Sequence, residues 1–316
     1  MKKKKEEGVV IKKEKNPRSK KASVIITCSI CAGACALGVG GGLLLNHFLS
    51  YNGIDYSNLN TDDYEADVTK LMAKYHDTKP SNYLSTFKSH ELVNIATAKV
   101  SEHNHVKSIG KGLVVAAMNV KQIIRSYYQK AGDTYFFENI SNSKVVSVNK
   151  RFYQQNDEVA LYLGDKKNEE SATWNNEAKE TLNLVDFETK WGRNFQRSSI
   201  LIISERTTYE DQSSVTQDGD YIKVSLELDP MTSVIRYVKQ MVATSDLDAP
   251  PVFHKMHVDY VLDKDLNLIS SKTDELYDVK SFGITSKNTK GCLEETLIYD
   301  AIEERPSLTT DCNYSL

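Results

Sequence analysis

The stretch "QDGDYIKVSLELDPMTSVIRYVKQMVATSD", Gln217 to Asp246, holds a strand, a helix and the joint between them. After the turn signal "QDGD", Ile222, Val224, Leu226 and Leu228 alternate with Tyr221, Lys223, Ser225 and Glu227. A period of two with one apolar and one polar set predicts a strand buried on one face and wet on the other, as in an antiparallel sheet. At Asp229 the period changes. Asp229 is a capping residue type, and Pro230 suits the first helical position, where an N–H would be unpaired anyway. Val234, Ile235, Val238, Met241 and Val242 then recur at helical spacing, which predicts a helix over Asp229 to Ser245. A one-faced strand and a one-striped helix must bury their apolar sides against each other or around something held between them.

The pattern on either side is mostly strand. Downstream, "APP" at Ala249 to Pro251 is expected to end the connection, and Val252, Met256, Val258, Tyr260 and Leu262 then alternate. "DKDLN" turns, "LISSKTDELYDV" returns, and "CLEETLIYD" supplies a last strand. Upstream, "GKGLVVAAMNVKQIIRSYYQK", "TYFFENI", "KVVSVNKRFYQQ" and "VALYLG" are separated by turn signals and read as a meander of four or five antiparallel strands. "VDFETKWG" reads as a short helix or loop insert. Two helices precede the meander. The first starts at a Thr61 cap, carries Asp62 and Asp63 in its opening turn, and presents Leu71, Met72 and Tyr75. The second runs from Ser89 to about Glu102, with Leu92, Val93, Ile95, Ala96 and Val100 on its apolar face.

Helices, meander, helix and meander follow one another with no βαβ rhythm. The expected class is α+β: one large curved antiparallel sheet, half-barrel-like, with helices packed on one face and one transmembrane helix in front. In element order, from about Thr61 to Asp300, the chain resembles the bacterial lipoprotein-carrier half-barrels, the family of the periplasmic lipoprotein chaperone and its mycobacterial lipoprotein relatives. The resemblance implies an apolar groove for acyl chains. It carries over no functional residue, because no family motif is matched, and fold alone does not fix function.

The N-terminal region sets the expected topology. Residues 1–21 form a basic tail of ten Lys and Arg against three Glu, a net +7, whereas the remainder balances to −10. From Ala22 to Leu45 run 24 residues without a charge, long enough to cross a hydrocarbon core and longer than a signal-peptide apolar region. Basic residues beside such a run mark its cytoplasmic flank and attract anionic lipid headgroups, which argues for anchoring rather than nucleic-acid binding. The expected organisation is a cytoplasmic tail at 1–21, a signal-anchor helix at 22–49, a stalk at 50–60, an extracytoplasmic domain at 61–300 and a C-terminal tail at 301–316. Two processing readings stand beside the retained helix: cleavage after "AGA" at Ala32 to Ala34, and lipid attachment at Cys35. Ala34, Gly38 and Gly42 share one helix face at a spacing that lets two membrane helices approach closely, a route to a homodimer. Cys28, Cys31 and Cys35 lie within the span. Cys292 and Cys312 are the two cysteines beyond it, and an oxidising compartment favours their pairing.

Catalytic and metal signatures are sparse. His103 and His105 could share a strand face, but no third ligand is near in sequence; His254 and His257, three apart on a strand, are expected on opposite faces. "GKG" at Gly110 to Gly112 lacks the phosphate-loop pattern, "DKDLN" is too short for a calcium loop, and no GxSxG, HExxH or SxxK motif occurs. No cofactor or metal is expected. The leading expectation is a non-catalytic, single-pass envelope protein whose outer domain binds an apolar ligand, lipid or lipoprotein, or an envelope protein partner. The expected groove walls are Val224, Leu226, Val238, Met241, Met256 and Tyr260. The alternatives are a structural or adhesive module with a filled core, and a hydrolase whose site assembles only in space.

Overall fold

The computed structural model describes residues 59–115, 119–129, 134–144, 147–191, 200–244, 247–281 and 283–300, together with Tyr56. All belong to one compact unit of chain, Asn46–Leu316. Five α-helices are described: α1 (Val68–His76), α2 (Tyr83–Thr86), α3 (Ser89–Lys99), α4 (Leu184–Trp191) and α5 (Ile235–Thr244). The strands of the first meander are β1 (His105–Val115), β2 (Val120–Gln129), β3 (Thr134–Asn142), β4 (Ser147–Gln155) and β5 (Glu158–Asn168), followed by the short β6 (Ser171–Trp174) and β7 (Glu180–Asn183). The second set is β8 (Ser214–Asp218), β9 (Tyr221–Leu228), β10 (Leu247–Asp263), β11 (Leu268–Ser281) and β12 (Ile284–Tyr299).

The described strands form one antiparallel sheet in the order β6-β5-β4-β3-β2-β1-β12-β11-β10-β9-β8, with β7 also pairing β5. Each meander is sequential; the closing step is the return of the last strand to the first, with Gly110 opposite Glu295 and Val106 opposite Tyr299. The protein is therefore mostly β, a large antiparallel sheet with a few helices on one face. At "QDGD" the β8–β9 hairpin turns through Gly219 at φ 62°, a left-handed conformation that glycine adopts without a Cβ penalty.

The β9 alternation holds: Ile222, Val224, Leu226 and Leu228 are all buried. They pack with Met256, Val258 and Leu262 of β10, with Leu92, Val93, Ile95 and Ala96 of α3, and with Val234 and Val238. Each leucine or valine so buried contributes roughly 1.5–3 kcal/mol. A second cluster lies at the far end of the sheet, where Phe187 and Trp191 of α4 cover Phe137, Phe152, Val159 and Leu161. On the opposite side of that end, Ile123, Ile140 and Ala172 form a smaller group. There Arg151 and Glu138, each 1% exposed, make an ion pair, and the Arg151 guanidinium lies 4.2 Å from the Trp174 ring centroid.

Several local expectations are corrected. The first helix is two pieces: a 3-10 turn at Thr61–Asp63, capped by Asn60 rather than Thr61, and α1, capped by Asp67, whose Oδ1 accepts from the Lys70 N–H at 3.0 Å. Asp229 does cap, taking the Met231 and Thr232 N–H groups at 3.0 and 2.7 Å, but the capped segment is a run of turns and α5 begins only at Ile235. "APP" does not end the connection: Pro250 and Pro251 lie within β10, which shifts register there because proline donates nothing to the ladder. A further bulge between Phe253 and Lys255 breaks the alternation, so Phe253 and Met256, three apart, are both buried. It also leaves His254 to meet Asp278 at 3.2 Å, while His257 meets Glu227 at 3.0 Å.

Among the described residues no helix is long and apolar enough to cross a membrane. The expected membrane helix at 22–49, its small-residue face at Ala34, Gly38 and Gly42, Cys35, Cys312 and the tail at 301–316 lie outside the described residues.

Candidate functional site

A cavity of about 520 Å³ lies between sheet and helices. Its floor is the middle of the sheet. Alternation sets the lining: Val106, Ser108 and Val114 of β1, Gln122, Ile124, Ser126 and Tyr128 of β2, and Tyr135, Phe137 and Asn139 of β3 all face one way. Ser271, Thr273 and Glu275 of β11 and Leu293, Glu295 and Leu297 of β12 join them. The roof comes from the end of α3 (Thr97, with Val100 and Ser101 just beyond it), from Arg236, Tyr237 and Gln240 of α5, and from Ile200 and Leu201.

Three inward positions of the same sheet face carry no side chain. Gly110 and Gly112 occupy two successive inward positions on β1, and Gly291 a third on β12. A Cβ on Gly112 would stand 3.0 Å from the Cys292 carbonyl oxygen and 3.2 Å from Leu293 Cδ1, so neighbours already lean over these bare positions. At Gly291 the overlap is larger: a Cβ would lie 2.1 Å from Glu275 Oε1. The Glu275 side chain thus lies across the glycine opposite it in the ladder.

The lining is amphipathic. Ser108 Oγ donates to Glu295 Oε1 at 2.6 Å and lies 2.7 Å from Ser126 Oγ, a polar chain running across β2, β1 and β12. Ser141 Oγ donates to Asn139 Oδ1 at 2.8 Å, at the edge of the same floor. Tyr237 OH donates to Glu275 Oε1 at 3.3 Å. Burial pushes the Glu275 carboxyl up from 4.5 to about 7, opposed by that hydrogen bond. Burial, with Glu275 beside it, also raises the Tyr237 hydroxyl well above its ordinary value. Among the described residues Arg236 is the only basic one in the lining, and it is ion-paired with Glu65. Burial lowers its pKa, with Asp62 opposing.

Of the six expected wall residues, Val224, Leu226, Val238 and Met256 lie in the filled core, and Met241 packs against that core from a half-buried position. Tyr260, 5% exposed, belongs to the core and also borders the cavity. Glu275, Glu295 and Tyr237 line the cavity instead, and Gly110, Gly112 and Gly291 lie on the same sheet face. The sequence carried one signal for them: glycines at i and i+2 in "GKG" within a strand bare one face of a sheet. Cys292 is half-buried, and burial first, then a hydrogen bond to Asp274, raises its thiol pKa.

One further constellation has the outline of a nucleophile site. Ser225 Oγ is 3.3 Å from His257 Nε2, and His257 Nδ1 is 3.0 Å from Glu227 Oε2. The Ser225 hydroxyl, however, donates to Asp259 Oδ1 at 2.7 Å, and β9 is paired on both sides, leaving no cluster of unspent N–H groups for an oxyanion. It is a hydrogen-bonded surface network on the polar face of β9 and β10. Among the described residues no group of three His, Cys, Asp or Glu side chains is arranged to hold a metal ion.

The class these features define is a single-sheet antiparallel domain with a ligand-sized, amphipathic cavity under its helices. No protein-family model matches the chain, and no curated protein matches it. Among solved structures it is similar to a LolA superfamily protein from Nitrosomonas europaea, with a TM-score of 0.26 and 7% identity over 69% of this chain and 96% of that one. It is also similar to a porin-like protein from Bacteroides uniformis, at a TM-score of 0.20 and 10% identity over 64% and 98% of the two chains. A third is a beta-barrel-like protein from Brucella abortus belonging to a domain of unknown function, at 0.15 and 8% over 62% and 96%. The likeness is weak and at the level of the fold.

Proposed function

We propose that the domain at 61–300 is a non-catalytic binding module that takes an amphipathic ligand, a lipid or a lipid-bearing chain, into this cavity. The observation that carries the reading is the cavity itself, about 520 Å³ beside a core of buried apolar side chains. That volume falls within the usual range for small-molecule sites, roughly 300–1,000 Å³. Its composition fits a ligand with an apolar body and a polar group: Ile124, Phe137, Leu268 and Leu297 offer apolar contact, whereas Ser108, Glu275 and Glu295 offer acceptors. We further propose that a helix at 22–49, with the basic tail inside, holds this module at the outer side of a cell membrane as a fixed binding device.

The test is mass spectrometry of ligand co-purified with the full chain, in wild type and in Thr273→Trp. Thr273 faces the cavity from β11, and an indole there fills the space from the floor. Wild type should carry a reproducible amphiphile that the folded variant lacks. An equal load in both, or none in wild type, rejects the site.

A further inference from the structure

We propose that the ligand carries a cationic ammonium group and that Glu275 receives it, an assignment that rests on the ligand-binding reading above. The argument is one of charge and geometry. Among the described residues two carboxylates, Glu275 and Glu295, border the cavity, against one basic side chain. That side chain, Arg236, is already committed to Glu65. Glu295 is engaged by Ser108 at 2.6 Å. Glu275 has no ion-pair partner among the described residues; its one hydrogen bond is the 3.3 Å contact from Tyr237 to Oε1. A carboxylate has about four acceptor positions, so most of its capacity remains unspent.

Gly291 is the second, independent observation. Because it lacks a Cβ, the Glu275 carboxyl can lie flat across β12, where any side chain would meet Oε1 at 2.1 Å. The glycine is thus shaped to the acid. A charged hydrogen bond in such an enclosed place is about twice as strong as a neutral one, and a primary ammonium brings three donors to it. An anionic headgroup would instead face two carboxylates with, among the described residues, no uncommitted cation in the wall. Tyr237 on α5 faces Glu275 from a neighbouring element, and Tyr277 stands two residues along β11 itself. Burial raises both hydroxyls well above their ordinary value, so they remain neutral while Glu275 titrates. Burial holds the Glu275 proton to about 7, and a bound cation requires that proton to leave. Affinity for a cation therefore increases as pH rises through that value.

The experiment uses the full-length chain in neutral phosphatidylcholine nanodiscs, with empty discs as the blank. Octylammonium, octanoate and octanol are titrated by calorimetry at about pH 6 and about pH 8. The expected result is octylammonium binding about tenfold tighter than octanoate at the higher pH, and tighter there than at the lower pH. Glu275→Gln should remove both the preference for octylammonium over octanoate and its pH dependence. If octanoate or octanol binds as tightly as octylammonium, or if the variant keeps the preference, the ammonium assignment is overturned and the binding module stands. If none of the three binds, the cavity is not a ligand site and both readings fall.

Discussion

Glu275→Gln also makes a sharp prediction for stability. The wild-type carboxyl titrates at about 7 in the folded chain against an ordinary 4.5, because burial disfavours its charged form. Below 4.5 both folded and unfolded states hold the proton, and the substitution has little effect. Between 4.5 and about 7 the unfolded state has released the proton and the folded state keeps it, so wild-type stability falls as pH rises. Above about 7 the folded state carries the charge at a half-buried position, and the loss is complete. At 1.36 kcal/mol per pH unit it amounts to at most about 3 kcal/mol. Glutamine keeps the shape and accepts from Tyr237 but never charges. The variant should therefore match wild type near pH 4 and exceed it by up to about 3 kcal/mol near pH 8, or roughly 6–12 °C in Tm for a domain of this size. Urea unfolding across the pH range measures the difference directly. Parallel pH profiles for the two proteins would refute the reasoning, since they would mean that Glu275 is ionised and solvated in the fold.

Four other outcomes are expected. Gly291→Ala should cost about 1–3 kcal/mol through its overlap with Glu275, and much less in a Glu275→Ala background, as read by a double-mutant cycle in denaturant. Glu138→Leu should destabilise by about 3–5 kcal/mol, because it strands Arg151 at 1% exposure without its partner; an unchanged urea midpoint would show that water reaches that pair. Cys292 and Cys312 should be joined in the secreted domain, and two alkylatable thiols in native protein under non-reducing mass mapping would count against it. Protease added to intact cells should remove the domain at 61–300 and spare the basic tail, whereas protection of the domain would reverse the proposed topology.

Much of the architecture was legible before any coordinates. Period two in Tyr221–Leu228 and the stripe Val234, Ile235, Val238 reflect burial on one side of an element, a local property that sequence spacing records. Turn chemistry likewise separated the strands of both meanders. Boundaries were less legible where two devices competed: Asp229 is a sound cap, but its carboxylate satisfies a turn as well as a helix, and the tertiary position of Ile235 decided where α5 begins. The prolines at 250 and 251 read as a break, yet bulges let a long edge of β10 absorb them.

The cavity was not legible, and the reason is physical. Val224, Leu226 and Met256 were apolar enough to be placed indoors, but indoors holds both core and cavity, and the stripe of α5 and the face of β9 and β10 proved complementary enough to close on each other. The cavity is lined instead by small and polar inward residues, among them Ser108 of β1 and the Ser271, Thr273, Glu275 face of β11. Read alone, such a strand face belongs in water. Only the pairing of β12 with both β1 and β11 sets Gly291 beside Glu275 and Glu295 beside Gly110, and only the placement of α3 and α5 above them takes that polar floor out of solvent. Local pattern thus determined which elements form and which faces are apolar. What a polar face is for depends on what packs over it, and that is decided by contacts between residues far apart in the chain.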